Sequence, residues 1–348
     1  MKLRLTALAA ALTLIALTGC SSTEAPVPAP AAKPVAVAPI DPATLPKLPW
    51  HMTNIWWDSV APIRDFSTFS IDVDISTDMP AEKYNLYISP FGGMTINGNS
   101  VYGGIQTNCN GWDAMAPGDQ KRLNGGHGFI FSRWNDAASL SLDDVRSTPG
   151  GFVETAGYEG HFASTRRPYA WTAGKYTYSL RRLDTQITAG KPYTWVGAFV
   201  HEHATGRDIF VGSLRFPGDK LENAGRNAAF MEFYSTALNH KAPDIAGLPP
   251  LVVKFSNLRY NGEPAELSKV SARFIRKAEK RKDGLAAPIS PNILHVTSEN
   301  DGRDITCTLV NQPFDDSEEP TRTLWAKPKP VETATPAAKA APATSTAK

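Results

Sequence analysis

Residues Phe66 to Ile75 read FSTFSIDVDI, and this stretch carries the strongest indication of the fold. Polar and β-branched residues alternate along its second half, with Ser70, Asp72 and Asp74 on one side of an extended chain and Ile71, Val73 and Ile75 on the other. Such alternation predicts a β-strand that buries one face and keeps the other polar. The apolar face needs a covering layer, so we expect one sheet packed on another.

Similar short runs follow along the chain. Turn dipeptides separate them, including Asn97-Gly98, Asn110-Gly111 and Asn124-Gly125. Residues 204–207 (ATGR) have the composition of a hairpin loop. The predicted strands are 84–88, 101–107, 128–134, 176–183, 193–201, 209–216 and 251–258. This pattern predicts a mainly β fold, an antiparallel jelly-roll or concanavalin-like sandwich with one or two short helices, and it excludes the strand–helix–strand repeat of Rossmann and barrel enzymes.

Two segments have the spacing of short helices. Residues 221–238 place Phe230, Phe233 and Tyr234 on one side, although Gly225 interrupts the run. Residues 264–282 carry an apolar stripe and end in basic residues, which suits a helix C-terminus. We therefore expect the β-sandwich to span 48–262, and a helix plus a β-hairpin to follow in 263–325.

The first residues are typical of an export signal. Lys2 and Arg4 precede an apolar run, 5–17, that is too short for a membrane-spanning helix. Leu17-Thr18-Gly19-Cys20 then resembles the lipobox of bacterial lipoproteins. The resemblance implies that residues 1–19 are removed, that a diacylglyceryl group is attached to the Cys20 sulfur, and that a fatty acid such as palmitate acylates its amine. An ordinary signal peptide with a chance cysteine is the alternative.

Lipidation would also fix the location of the protein. Acyl chains hold a protein on a bilayer because each buried methylene contributes about 0.8 kcal/mol. Ser21 and Ser22 follow the cysteine, and neither position is an Asp. By analogy with enteric bacteria, this favours the outer membrane, facing the periplasm or the cell surface. Residues 20–47 are rich in Pro and Ala and should form an extended tether, and 326–348 should be a disordered tail.

Charge and cysteine content narrow the function classes. A net charge of +2 gives no broad electrostatic case for binding nucleic acid. The mature chain keeps Cys109 and Cys307 besides Cys20, and an oxidising compartment favours a disulfide between them, which would stabilise the fold by about 5 kcal/mol. Two buried free thiols are the alternative. The sequence contains no nucleophile elbow and no phosphate-binding loop, and we expect no cofactor.

Several short motifs occur in a fixed order between Asn54 and Gly218: YGGIQ at 102–106, FIFSRW at 129–134, GYEG at 157–160, WTAGKY at 171–176 and the strand pair around 204–207. In this order they resemble a bacterial family known only as domain of unknown function 3472. The resemblance covers half of the chain. It implies a lectin- or glucanase-like jelly roll on an exported protein, without an established activity. FIFSRW and GYEG depart from the family's usual pattern, in which Asp follows the Trp and a glycine pair precedes the Glu.

The resembling family has a glutamate at the position of Glu159. Glu159 and Trp171 are therefore our leading candidates for a ligand site, together with His161 and Trp134. A carboxylate can accept sugar hydroxyls while an indole covers the C–H face of the sugar ring. A turn glutamate that caps local N–H groups is an equal alternative. The chain has eight tryptophans, and most should fill the core of the sandwich.

Two further pairs of residues have a spacing that suits chemistry. Asp72 and Asp74 share one face of a strand, and paired carboxylates hydrolyse glycosidic bonds. A polysaccharide hydrolase or lyase that uses Glu159 with Asp72 or Asp74 is thus one hypothesis, although a solvated strand face explains the pair more simply. His201 and His203 could chelate zinc or copper, but the sequence offers no third ligand.

These features together favour a non-catalytic, lipid-anchored protein of the cell envelope. Its β-sandwich is expected to bind a polysaccharide, peptidoglycan or another envelope component through a face that carries aromatic residues and Glu159. Polysaccharide cleavage is the second hypothesis, and a structural envelope protein that contacts partners through its basic helix and tails is the third.

Overall fold

A computed structural model pairs the alternating runs into two antiparallel sheets that pack as a β-sandwich. The structure describes residues 41, 44, 45, 49–113, 122–135, 140–156, 161–234, 247–276, 289–313 and 320–329. A three-residue 3-10 turn spans Leu142–Asp144. None of the helices in the described residues is long and apolar enough to span a membrane.

The strands of both sheets are numbered here in chain order. They are β1 (Trp50–Ser59), β2 (Thr68–Ile75), β3 (Leu86–Ser89), β4 (Met94–Ile96), β5 (Asn99–Gln106), β6 (Asn110–Asp113), β7 (Arg122–Asn124), β8 (Gly128–Trp134), β9 (Val145–Arg146), β10 (Phe152–Ala156), β11 (Phe162–Pro168), β12 (Gly174–Thr188), β13 (Lys191–Glu202), β14 (Arg207–Pro217), β15 (Arg226–Phe233), β16 (Leu251–Tyr260), β17 (Glu263–Pro264), β18 (Leu267–Arg273), β19 (Leu294–Glu299), β20 (Asp304–Leu309) and β21 (Thr321–Ala326).

The first sheet has the spatial order β21-β18-β1-β15-β3-β5-β8-β11-β10-β6-β7, and β4 pairs with β5 beside this path. Side chains alternate between its two faces, as in any pleated strand. In β8, Phe129 and Phe131 are fully buried in the core between the sheets. Ile130 and Trp134 point to the opposite side, which we call the outer face of the first sheet.

The second sheet has the order β19-β20-β16-β2-β12-β13-β14-β9, with β17 beside β16. Most of the FSTFSIDVDI stretch at 66–75 forms its central strand, β2. Val73 lies opposite Tyr176 of β12 and Phe255 of β16. Ile71, Val73 and Ile75 are at most 1 % exposed, so the predicted alternation is confirmed.

The two sheets approach each other closely where β11 faces β14. Thr165 Oγ1 donates a hydrogen bond to the Val211 carbonyl at 3.3 Å. A Cβ atom on Gly212 would lie 2.2 Å from that hydroxyl, and Gly212 has a φ of +144°. Glycine alone combines this backbone conformation with the absence of a side chain.

The mainly β, antiparallel class of fold is confirmed. The eight main strands predicted before the C-terminal segment are confirmed as well, and they correspond to β2, β3, β5, β8, β12, β13, β14 and β16. Asn97 and Gly98 have φ values of 49° and 77° and form the turn between β4 and β5. Residues 203–206 join β13 to β14 as a hairpin, which includes most of the predicted ATGR loop.

The two predicted helices are wrong within the described residues. The segment 221–238 contributes β15, and the segment 264–282 contributes β18, and these strands flank β1 on its two sides. Leu267, Val270 and Ala272 pack in the core. Their spacing fits a strand with one irregularity in its alternation as well as it fits a helix. As strands, the two segments provide hydrogen-bond partners for the backbone of β1 and cover its apolar residues. These contacts outweigh the helical spacing of their sequences.

The C-terminal segment predicted as an extension, 263–325, belongs to both sheets. Its strands β18 and β21 join the first sheet, and β19 and β20 join the second. The edge strands β19 and β21 also contact each other through side chains. Ser298 Oγ donates to the Leu324 carbonyl at 3.0 Å, and Arg322 Nη2 donates to the Val296 carbonyl at 3.2 Å.

The predicted disulfide is absent. Cys109 and Cys307 are both free, buried thiols. Cys109 lies between β5 and β6 of the first sheet, where its Sγ faces the Phe129 carbonyl at 3.9 Å. Cys307 lies on β20 of the second sheet, opposite Val253 and Val296. The two cysteines therefore have different neighbours, one in the loop between two strands of the first sheet and one on a strand of the second, and the alternative of buried free thiols holds.

Candidate functional site

Aromatic rings form an unbroken series of contacts across the outer face of the first sheet. Phe230 of β15 contacts Tyr87 of β3, with ring centroids 5.1 Å apart, and Tyr102 of β5 at 5.7 Å. Tyr102 in turn packs on Trp134 of β8 at 4.5 Å. We call this set, with Ile130, the aromatic face. A sheet face that looks away from the core is normally polar, so this series needs an explanation.

Further rings continue the series at both ends. Phe162 of β11 lies 5.4 Å from Trp134, and His51 of β1 lies 5.4 Å from Phe230. Phe230, Tyr87 and Ile130 are only 5–6 % exposed and form a small core of their own. Tyr102 and Trp134 are partly exposed, which makes them the accessible members of the face.

A row of polar side chains runs beside the rings. The cross-strand order is Tyr102, Ser132, Ser164 and Glu154, each directly opposite the next. Ser132, Ser164 and Glu154 are at most 2 % exposed. Ser164 Oγ is buried and has no hydrogen-bond partner in the described part of the chain. A buried hydroxyl of this kind costs about 1–3 kcal/mol unless something binds it.

An ion pair closes this row. Arg166 Nη1 donates to Glu154 Oε2 at 2.5 Å, and the two side chains are 9 % and 2 % exposed. Gly111 leaves space for the guanidinium, because a Cβ there would lie 3.1 Å from Arg166 Nη1. At the far side of the aromatic face, His51 Nδ1 and Glu232 Oε2 are 3.3 Å apart. The rings of this face are therefore flanked by an Arg–Glu ion pair on one side and by a His–Glu contact on the other.

The phenols of this region stay protonated over the physiological range. Burial raises the pKa of Tyr87 far above its usual value, and the negative charge of Glu232 adds to the effect. Burial likewise raises the pKa of Tyr234, whose hydroxyl donates to the Asn108 carbonyl at 2.9 Å. Both groups are thus hydrogen-bond donors rather than anions.

The predicted ligand residues do not all come together. Trp134 belongs to the aromatic face. His161 is exposed, and its carbonyl accepts the Asn135 N–H at 3.0 Å, which links the end of β8 to the start of β11. Glu159 lies outside the described residues. The strands on either side of it, β10 and β11, belong to the first sheet.

Trp171 does not form a binding platform, because it is 1 % exposed and part of the core. Its Nε1 donates to the Gln106 carbonyl at 2.8 Å, and its ring stacks on His127 at 4.4 Å. The two nitrogens of His127 lie 2.8 Å and 2.7 Å from the carbonyls of Trp171 and Met79. These contacts explain both residues as structural ties between loops.

Asp72 and Asp74 lie on the outer face of the second sheet, on β2. Asp72 accepts hydrogen bonds from Thr177 at 2.6 Å and Asn257 at 2.8 Å, and its carboxylate lies 2.8 Å from Lys175 Nζ. Burial would raise the pKa of Asp72, but these three contacts outweigh it and lower the pKa. Asp72 is therefore held ionised by its neighbours, whereas Asp74 is exposed. A hydrolytic pairing of either residue with Glu159 stays a prediction.

The weak metal candidates, His201 and His203, have partners of other kinds. His201 Nδ1 lies 3.0 Å from Asp208 Oδ1, and His203 Nε2 lies 2.8 Å from Thr177 Oγ1. The two rings meet edge to face at 5.0 Å. No group of three or more His, Cys, Asp or Glu residues in the described ranges could hold a metal ion.

Sequence reasoning missed most of the aromatic face. Phe230 fell within a predicted helix, so its outward position on a strand was hidden. Trp134 was among the predicted ligand residues. Tyr102 lay in a correctly predicted strand, and its side chain alternates with that of Val101, which was the signal that could have revealed it. Arg166 and Glu154 gave no such signal, because their pairing depends on the register of β10 and β11.

Comparison with known proteins adds little. No family model and no curated protein matches the chain. A crystal structure of scytalido-glutamic peptidase with a transition state analog inhibitor aligns with 77 % of this chain and 100 % of its own, at 10 % sequence identity and a TM-score of 0.32. A similarity at this level carries no information about activity or substrate.

Proposed function

We propose that this protein is a lipid-anchored binding protein of the bacterial cell envelope that holds a glycan chain against the aromatic face. The observation that carries the proposal is the unbroken series of rings from Phe230 to Trp134 on the side of a sheet that faces away from the core. Sugar rings present C–H faces that pack on aromatic side chains, while their hydroxyls need polar partners nearby.

The chemistry of the surrounding groups supports a neutral ligand. Glu154 is paired with Arg166, and Glu232 lies beside His51, so each of these carboxylates already has a partner. Tyr102 is partly exposed and brings a hydroxyl to the surface, at the end of the row that Ser132 and Ser164 continue inside the protein. A polysaccharide or the sugar backbone of peptidoglycan fits this combination better than a highly charged polymer does.

The anchor rests on the lipobox-like residues 17–20 and on the Pro- and Ala-rich stretch that follows. Acyl chains on Cys20 would place the sandwich next to the envelope glycans, at a high local concentration. Weak binding through a few rings would then be sufficient for function.

A binding experiment with the full-length protein in detergent tests the glycan proposal. Isothermal titration and co-sedimentation with insoluble polysaccharides and peptidoglycan should detect binding. Trp134→Ala and Tyr102→Ala should each weaken it about tenfold, which corresponds to about 1.4 kcal/mol. Phe210→Ala is the matched control, because Phe210 is a partly exposed ring on the second sheet that packs on Phe199.

Two outcomes would count against the proposal. One is the absence of binding to every glycan tested by folded wild-type protein. The other is an equal loss of affinity in Phe210→Ala, which would show that the aromatic face is not the surface involved. Circular dichroism of each variant separates a binding defect from a folding defect.

A further inference from the structure

Two histidine rings meet on the outer face of the second sheet, where β13 ends and its hairpin turn begins. His201 and His203 are two positions apart, so their side chains lie on the same side of the extended chain. The rings contact each other edge to face, with centroids 5.0 Å apart. The side chain of His201 is 36 % exposed, and His203 is exposed as well. An external ligand can therefore reach both imidazoles.

A neighbouring carboxylate fixes the tautomer of the first ring. His201 Nδ1 lies 3.0 Å from Asp208 Oδ1, and the two residues are directly opposite each other on β13 and β14. A carboxylate oxygen only accepts hydrogen bonds, so the proton of the neutral His201 ring lies on Nδ1. The lone pair of this ring is consequently on Nε2.

A hydroxyl group fixes the tautomer of the second ring. Thr177 Oγ1 has a single proton and donates it to Asp72 Oδ1 at 2.6 Å, because Asp72 is ionised. The same oxygen then accepts from His203 Nε2, which lies 2.8 Å away. The proton of the neutral His203 ring is thus on Nε2, and its lone pair is on Nδ1. In the described part of the chain, His201 Nε2 and His203 Nδ1 have no hydrogen-bond partner.

Each ring therefore keeps one free lone pair, and two such rings in contact suit a metal ion. Imidazole nitrogens bind divalent zinc, nickel and copper, at about 2.0–2.1 Å for zinc. An ion at this distance from one nitrogen of each ring fits between centroids 5.0 Å apart. The contact with Asp208 matches the usual support of a metal-bound histidine, whose second ring nitrogen donates to a carboxylate.

We propose that His201 and His203 chelate one divalent transition metal ion, with Asp208 and Thr177 as positioning residues. The ion bound most tightly is Cu²⁺, which exceeds Ni²⁺ and Zn²⁺ in affinity for nitrogen ligands in general. Water fills the other coordination positions, because the described ranges contain no group of three or more His, Cys, Asp or Glu suited to a metal. The site lies on the second sheet, so the proposal is independent of glycan binding on the first.

Isothermal titration of the full-length, untagged protein in detergent tests the site. One Cu²⁺ ion should bind per chain, and Ni²⁺ and Zn²⁺ should bind more weakly. His201→Gln and His203→Gln should each weaken Cu²⁺ binding about 100-fold, because the remaining imidazole loses its chelating partner. Both side chains are at the surface, so the two variants should unfold at the wild-type Tm when no metal is present.

His161→Gln is the matched control, because His161 is also exposed, and this variant should bind Cu²⁺ as tightly as the wild type. Asp208→Asn should weaken binding about tenfold, and Asp208→Glu, which keeps the carboxylate, should restore it. Electron paramagnetic resonance of the Cu²⁺ complex gives a second measurement. Its spectrum should show coupling to two imidazole nitrogens in the wild type and in Asp208→Asn, and to one in either histidine variant.

Three results would overturn the proposal. The first is that the wild type binds none of Cu²⁺, Ni²⁺ and Zn²⁺. The second is that His201→Gln or His203→Gln binds Cu²⁺ with the affinity of the wild type. The third is that Mg²⁺ binds as tightly as Cu²⁺, because Mg²⁺ prefers oxygen ligands and would place the ion on carboxylates instead of the two rings.

Discussion

Arg166 and Glu154 form a hydrogen-bonded ion pair at 2.5 Å on the outer face of the first sheet, with side chains only 9 % and 2 % exposed. A salt bridge that faces away from the main core is usually hydrated and weak. This one is enclosed, so its partners depend on each other.

Removing one partner of this pair should therefore be strongly destabilising. We expect Arg166→Met to lower the free energy of unfolding by about 3–5 kcal/mol, because the buried carboxylate of Glu154 would lose its cationic partner. The double variant Arg166→Met with Glu154→Gln should recover much of the loss. Urea unfolding followed by tryptophan fluorescence measures both. Glu222→Gln, which breaks the exposed pair with Arg64, is the control and should change stability by less than about 1 kcal/mol. Similar losses of stability in Arg166→Met and Glu222→Gln would show that the Arg166–Glu154 pair is not enclosed.

The close approach of the sheets gives a second prediction. Gly212→Ala should destabilise the fold by about 3 kcal/mol or more, because its Cβ would collide with Thr165 and the backbone conformation disfavours a side chain. Gly206→Ala is the control, since Gly206 has a φ of +69° and open space around it. Its cost should be about 1 kcal/mol, from backbone conformation alone. Thermal melts of the two variants should differ clearly, and equal Tm values would contradict the inter-sheet contact.

Asp72 should make the stability of the second sheet dependent on pH. Its pKa is lower in the folded than in the unfolded protein, so its contribution is fully present above the unfolded pKa and is lost as pH falls through the folded pKa. Asp72→Asn should thus cost about 1–3 kcal/mol at neutral pH and much less in strong acid. Asp74→Asn, on the same face of β2 but exposed, is the control and should have little effect on stability. Urea denaturation at several pH values measures the difference, and parallel pH profiles for the two variants would refute it.

The two buried thiols should be chemically silent in the folded protein. Burial raises the pKa of both Cys109 and Cys307 to about 12, so the reactive thiolate is scarce at neutral pH. In the lipidated protein, whose Cys20 sulfur is blocked, we expect no labelling by Ellman's reagent until denaturant is added, and then two thiols per chain. The mass of the unfolded protein should be the same with and without reductant. A mass difference of about two hydrogens would instead indicate the disulfide.

Lipid attachment is a separate prediction that depends on one residue. Expressed in a bacterium with an alkyne-tagged palmitate, the wild-type chain should become labelled and partition with membranes. Cys20→Ala should remove the label and release the protein from the membrane fraction, because no acyl chains remain to be buried. Cys109→Ala is the control and should stay labelled. Labelling that persists in Cys20→Ala would refute the lipobox assignment.

Alternation along the chain was sufficient to predict most of the strands and the class of fold. In β2 the polar and apolar positions follow the pleat directly, so local sequence determines which face is buried. β15 and β18 were not predictable in this way. Their apolar residues suit a helix or a strand, and only the unpaired backbone of β1 between them decides the outcome.

The candidate site was less predictable than the fold, because it depends on the register between distant strands. Tyr102 and Phe230 meet although more than a hundred residues separate them, and no local pattern records that contact. Trp171 shows the opposite problem. A tryptophan in a polar loop can be buried when its indole N–H has a carbonyl acceptor, and the sequence does not reveal the acceptor.

The side-chain contacts between β19 and β21 have a consequence for how copies of the protein meet. An unpaired sheet edge can template strand addition from another molecule and so initiate polymerisation. Here the Val296 and Leu324 carbonyls already accept hydrogen bonds from the opposite edge. The edge strands at the other ends of the two sheets, β7 and β9, are three and two residues long, which is too short to pair stably with a strand of another molecule. Copies of the protein should therefore not associate by pairing their sheet edges.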